Sequence, residues 1–157
     1  MRYMALVFMF ILVNACAESL DNNQLLDSEM NDGESQLDLR EANVIDVTYN
    51  ADTSEFGVTL LHNDDGEEGY ADWWQVDAFD GELLGRRELT HRHDNNPFTR
   101  YASISDLPDI EYVVVRGHDQ EHGYGGQAMV LNLDTGEEER IQQGSDKVGF
   151  SDYLSEN

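Results

Sequence analysis

Apolar and polar positions divide the chain into three stretches. Residues 4–13 read MALVFMFILV, ten apolar residues without interruption. Residues 17–42 are polar and acidic, with Leu20, Leu25, Leu26, Met30, Leu37 and Leu39 as sparse apolar positions. From residue 43 onward the apolar positions come in short runs, and no window there carries a stripe at the 3.6-residue helical period. The pattern predicts strands over 44–49, 56–62, 71–79, 83–89, 98–104, 112–118, 127–133 and 138–141. These segments are rich in Val, Ile, Tyr, Phe, Trp and Thr, which suit a pleated, half-buried surface. Turn-forming residues punctuate them at 63–66, 94–97, 107–109 and 134–136, and Asp80-Gly81 between two strands signals a hairpin. Seven or eight short strands predict an all-β domain, an Ig-like two-sheet β-sandwich. A small β-barrel is the alternative.

An apolar run of ten residues is too short for a bilayer core, which takes about 20 helical residues. Behind Met1-Arg2-Tyr3 it suits the apolar region of a secretory signal peptide. Val13-Asn14-Ala15-Cys16 follows directly. This resembles the lipobox of bacterial lipoproteins, although Asn14 stands where a small or apolar residue is usual. The resemblance implies a signal peptide over 1–15, lipidation of Cys16 and attachment to the membrane through acyl chains. The protein would then be exported and lipid-anchored in the cell envelope, and Ala17 after the cysteine points to the outer membrane. The alternative is ordinary signal peptidase, whose small-x-small site Ala15-Cys16-Ala17 also fits and which would release a soluble protein after Ala17. Residues 16–42 read as the lipidated cysteine and a disordered acidic tether, because so few apolar residues cannot offset the entropy of ordering. Residues 43–143 form the β domain and 144–157 a loose acidic tail, from which Phe150, Tyr153 and Leu154 can pack back.

Charge narrows the possible partners. The 157 residues carry 33 Asp and Glu against 9 Lys and Arg, a formal net charge of −24. Nucleic acid is excluded as a partner, since sequence-independent phosphate binding needs clustered cations. Cys16 is the one cysteine, so no internal disulfide forms. Lysine occurs once, at Lys147, and dense carboxylate with scarce lysine resembles proteins of salt-rich habitats. Self-repulsion at such a charge costs stability, so the fold is expected to weaken at low ionic strength.

All five histidines lie between residues 62 and 122, and Arg86, Arg87, Arg92, Arg100 and Arg116 share that stretch. In an extended segment His91 and His93 point to one side, where two imidazoles can share a metal ion. His122, with His118 or Asp119 in reserve, supplies the further ligand if the end of the 112–118 strand approaches the 90–97 loop. Such a site suits Zn²⁺ or Cu²⁺. The competing reading pairs these histidines with Asp94, Asp119 and Glu121 in surface loops. Arg100 and Arg116 are candidates to grip an anion by bidentate bonds, though abundant acids offer them internal partners. Asp64, Asp65 and Glu67 form a weak candidate calcium site that lacks the EF-hand spacing. Gly123-Tyr124-Gly125-Gly126 precedes a strand rather than a helix, so it is read as a loop and not a phosphate cradle. Asp134-Thr135-Gly136 is read as a hairpin turn. Adjacent Trp73 and Trp74 must face opposite sides of their strand, one of them into the core.

Asp64–Gly69, Tyr70–Val76, Leu84–Leu89, His91-x-His93, Pro97–Arg100 and Val114–Gly126 together resemble an uncharacterised family of small acidic, histidine-containing proteins of halophilic archaea and bacteria. The resemblance implies a shared fold and a shared site at His91, His93 and His122, and no activity. The leading expectation is therefore a lipid-anchored binding module with a possible divalent metal. A metal-dependent hydrolase or oxidoreductase with Glu121 as base is one alternative. An adhesion module that meets a protein or glycan through Trp73 or Trp74 with Tyr124 is the other.

Overall fold

The computed structural model describes residues 36–64, 66, 68–147, 149 and 150. Among these residues there are eight strands: β1 (Asn43–Asn50), β2 (Glu55–Leu61), β3 (Ala71–Asp77), β4 (Leu83–Glu88), β5 (Phe98–Ser103), β6 (Tyr112–Asp119), β7 (Gly126–Asn132) and β8 (Glu138–Gln143). A three-stranded sheet runs β1-β2-β5 and a five-stranded sheet runs β4-β3-β6-β7-β8. All strand pairs are antiparallel. The two sheets form a sandwich and do not close into a barrel.

Strand alternation builds the core. Val44, Val47, Phe56, Val58, Leu60, Trp74, Val76, Val113, Val115, Met129 and Leu131 are buried in one cluster between the sheets. Trp74 is thus the inward tryptophan, and Trp73 lies half-buried on the opposite face. The β1 strand crosses β6 and β7. Its lead-in presses so closely that a Cβ on Gly117 would lie 2.3 Å from the Ala42 carbonyl oxygen. Only glycine permits that approach.

The outer face of the large sheet is not plain solvent surface. Every residue of β7 is buried. Val114, Ala128 and Val130 form a second cluster beneath Phe79, Tyr112, Ile141 and Phe150. The backbone N–H of Phe150 donates to Phe79 O at 2.8 Å, so the chain after β8 returns across this face. At the other terminus, Ala42 is fully buried and Asn63 N–H donates to Leu39 O, so residues 39–42 pack with the domain. The signal, Cys16 and most of the acidic tether lie outside the described residues.

Turn chemistry follows the residue types. Gly81, Gly123, Gly126 and Gly136 all have positive φ. Gly123 and Gly126 bracket the loop between β6 and β7, which opens a strand and offers no helix N-terminus. Asn132 caps the Asp134-Thr135-Gly136 turn by accepting from the backbone N–H of Asp134 and Thr135 at 2.9 Å.

Candidate functional site

Four of the five histidines turn Nδ1 toward an aspartate. A carboxylate accepts only, so each of these Nδ1 atoms carries the proton. The arrangement fixes each ring and leaves Nε2 as the second nitrogen.

Asp64 is the hub of the first group, and its side chain is fully buried. Its Oδ1 accepts from His62 Nδ1 at 2.6 Å and from the Ala71 backbone N–H at 3.1 Å. Its Oδ2 accepts from His93 Nδ1 at 3.1 Å and from the His93 backbone N–H. One carboxylate thereby ties the end of β2, the start of β3 and the 89–97 loop. His62 also faces the Arg40 carbonyl through Nε2 at 3.0 Å. Two acceptors on one ring require two N–H donors, so His62 is an imidazolium. Burial alone would lower its pKa, but the Asp64 carboxylate outweighs burial and the net shift is upward. Burial dominates at His93, whose pKa falls below the ordinary value despite Asp64. Burial would raise Asp64, yet its hydrogen bonds from His62, Ala71 and His93 hold it low.

These directions set a pH profile. The contribution of His62 is full below its ordinary value of 6.5 and is lost as pH rises through the higher folded value. His93 contributes above 6.5, and its share is lost as pH falls through the lower folded value. Asp64 contributes above 3.8 and loses its share at still lower pH. Thermal stability should therefore peak near neutrality. His62→Gln should flatten the alkaline limb in a series of melting curves. An alkaline limb unchanged by that substitution would contradict the imidazolium assignment.

His118 centres the second group, on the outer face of the large sheet. A bulge in β3 between Ala71 and Trp73 inserts Asp72 there. Asp72 Oδ1 accepts from His118 Nδ1 at 2.7 Å. The imidazole stacks on Trp73 with centroids 3.6 Å apart, and Tyr124 meets it edge-on at 4.8 Å. From the β4 side the Arg86 guanidinium lies 4.3 Å from the Trp73 ring centroid. Since β3 runs between β4 and β6, Trp73 is packed from both flanks. It offers no open face for a sugar, and Trp74 is in the core.

A polar chain crosses the sheet beside it. Arg86 and the Tyr124 hydroxyl donate to Gln75 Oε1 at 2.6 and 3.2 Å. Gln75 Nε2 donates to both Asp77 oxygens at 2.9 Å. Asp77 also accepts from Arg116 Nε at 2.9 Å and Lys147 Nζ at 3.1 Å. Arg116 Nη1 donates to Gln143 Oε1, and its guanidinium lies 4.6 Å from the Phe150 ring centroid. Arg116 is fully buried, and burial lowers its pKa even beside Asp77. Of the two anion-gripping candidates, Arg116 thus serves Asp77. Arg100 donates to the Thr99 carbonyl and lies 5.4 Å from the Phe98 ring centroid.

The candidate metal ligands are distributed over separate places. His91 and His93 are neighbours, with ring centroids 5.2 Å apart, and His93 stacks on Phe98 at 3.7 Å. His122 is held by Asp119, three residues earlier, at 3.1 Å. Asp119 Oδ1 also accepts from the backbone N–H of Glu121 and His122. Among the described residues no three His, Cys, Asp or Glu side chains form a group able to hold a metal ion. Of the calcium candidates, Asp64 has both oxygens committed as above, and Asp65 and Glu67 lie outside the described residues.

Sequence reasoning did not single out Asp64 as a hub, nor Asp72, Gln75 and Asp77 as partners. A usable signal existed for two of them. Gln75 and Asp77 alternate with Trp74 and Val76, which places them together on the outer face of β3.

Fold and site together define a two-sheet sandwich whose histidines are buttressed by aspartates in its end loops and on its outer sheet face. No family model matches the chain. A protein of the halophilic archaeon Halomicrobium mukohataei, named "Putative lipoprotein", is 55% identical to it over 121 residues. The match covers 75% of this chain and 60% of that protein, so the chain spans less than two thirds of its relative's length. No solved structure matches.

Proposed function

We propose that this chain is an exported module, lipid-anchored in the cell envelope through Cys16, whose rigid β-sandwich serves binding. The observation that carries the reading is the 55% identity to a protein named as a lipoprotein. The position of Cys16 supports it, directly behind ten apolar residues and in the lipobox-like Val13-Asn14-Ala15-Cys16. Diacylation fits the need for two signals in stable anchoring, since one chain alone binds a membrane only marginally. The paired histidines also fit a binding role: their Nδ1 atoms are tied to aspartates, and the rings of His93 and His118 stack on Phe98 and Trp73, which stiffens the loops.

The test is expression of the full chain in a halophilic host, followed by membrane fractionation and mass spectrometry of the mature N-terminus. The expected result is a membrane-bound protein that begins at a lipid-modified Cys16, and a Cys16→Ser variant without lipid. A soluble product beginning at Glu18 would overturn the anchor in favour of secretion.

A further inference from the structure

The edge strands are β1 and β5 in the small sheet and β4 and β8 in the large one. An edge presents backbone N–H and C=O groups without a ladder partner, and native proteins cover or blunt them. On β1 the large sheet supplies the cover. Val47 N–H donates to Glu138 Oε1 at 2.9 Å, and Val44 O accepts from Gln127 Nε2 at 2.7 Å. On β5 the Arg100 side chain donates to Thr99 O at 2.8 Å. The β4 edge lacks such cover. Leu89 N–H donates to Asp72 O, and Arg87 and Gly85 stand opposite Trp74 and Val76 in the ladder. Backbone groups alternate sides along a strand, so residues 85, 87 and 89 bond toward β3 while Arg86 and Glu88 point outward. Among the described residues no group bonds the outward N–H or C=O of Arg86 and Glu88. Leu83 is 47% exposed, and residues 86–88 are exposed as well.

This edge is complementary to itself. When two copies of β4 run antiparallel about a twofold axis at Arg87, Arg86 of each lies opposite Glu88 of the other. Both members of that pair are outward-pointing, so they exchange two N–H···O bonds, and symmetry repeats the exchange. The side chains match in the same register. The Glu88 side chain is 65% exposed, and Arg86 Nη1 of its own strand is 3.9 Å away. Arg86 Nε and Nη2 donate to Gln75 Oε1, which leaves Nη1 for a second carboxylate. Sliding the copies by two residues sets Arg86 against Arg86 or Glu88 against Glu88, so charge selects one register. Arg87 meets its own copy on the other face, a repulsion that adds to the net charge of −24 on each chain. Salt screens both repulsions, while the backbone bonds persist.

The geometry points to a symmetric dimer in which β4 of one copy pairs antiparallel with β4 of a second, joining two five-stranded sheets into one. The partner surface is a second copy of this chain. The dimer goes beyond the envelope-module reading and stands on the β4 edge whether or not Cys16 is lipidated.

The test uses the full chain with Cys16→Ser, which leaves no native thiol. Sedimentation equilibrium should show a monomer–dimer equilibrium that tightens from 0.2 to 2 M KCl. Glu88→Lys should weaken it about tenfold or more, since it turns both opposite-charge pairs into like-charge pairs. Glu139→Lys makes the same charge change on β8 and should not weaken it. Cysteine pairing reads the register directly. Arg87→Cys places two thiols in a non-hydrogen-bonded pair with Cα atoms about 4.5 Å apart, within disulfide range, and should cross-link on mild oxidation. Glu88→Cys places them two residues out of register, roughly 8 Å apart and beyond that range, and should not. A monomer at every concentration and salt would overturn the dimer. So would association that Glu88→Lys leaves unchanged, or equal cross-linking at 87 and 88.

Discussion

Asp64→Ala should destabilise the domain by about 3–5 kcal/mol, the range for breaking a buried ion pair by removing one partner. The substitution leaves the His62 imidazolium with the Arg40 carbonyl alone, in a place with no access to water. It also strands the Ala71 and His93 backbone N–H groups that Asp64 satisfies. Each unsatisfied buried donor adds about 1–3 kcal/mol, although these costs overlap and do not simply sum. Urea unfolding should show a lower midpoint with an unchanged slope. Asp64→Asn should fall between the two proteins, since an amide keeps one acceptor for the backbone but cannot match two imidazole donors. A loss below about 1 kcal/mol for the alanine variant would place Asp64 on the surface energetically.

The second large effect belongs to the buried pair beneath the chain that follows β8. Asp77→Ala should cost about 3–5 kcal/mol, because Arg116 is fully buried and loses the carboxylate to which its Nε donates. Gln75 Nε2 loses its acceptor in the same step. Lys147 is partly exposed and can turn to solvent, so it adds little. The informative comparison is Asp77→Leu with Arg116→Met. Removing both charges and filling the space with hydrocarbon should recover most of the loss, because desolvation of the pair consumes much of its attraction. A double variant as unstable as Asp77→Ala would show that the pair itself holds the sheet face together.

The strands were legible because their residues alternate. All eight expected segments are present, with ends shifted by a residue or two at bulges and turns. Which tryptophan faces inward was not legible. Trp73 and Trp74 differ by one step of the pleat, and the Asp72 bulge alters the pairing just before them. The histidine site was legible in part. The i, i+2 spacing did bring the rings of His91 and His93 side by side. His122 was already claimed by Asp119 through a local turn, a pattern that Asp119-x-x-His122-Gly123 carries in its spacing. Asp64 stayed hidden for a different reason. Among 33 acids nothing in composition marks the one that the fold buries. Burial depends on where the 89–97 loop lands, a long-range outcome that local pattern does not encode.

The direction of β1 has a consequence for how the domain is presented. Its first residue, Asn43, lies beside the end of β2 and His62, and its last turns into the β1–β2 hairpin. The seven steps along this eight-residue strand separate these places by roughly 23 Å at about 3.3 Å per residue. The described chain therefore enters the sandwich at one pole, and the β1–β2 hairpin, the β5–β6 loop and the β7–β8 turn lie at the other. A carrier fused directly at residue 36 would join the domain at the histidine end and leave those three connections clear.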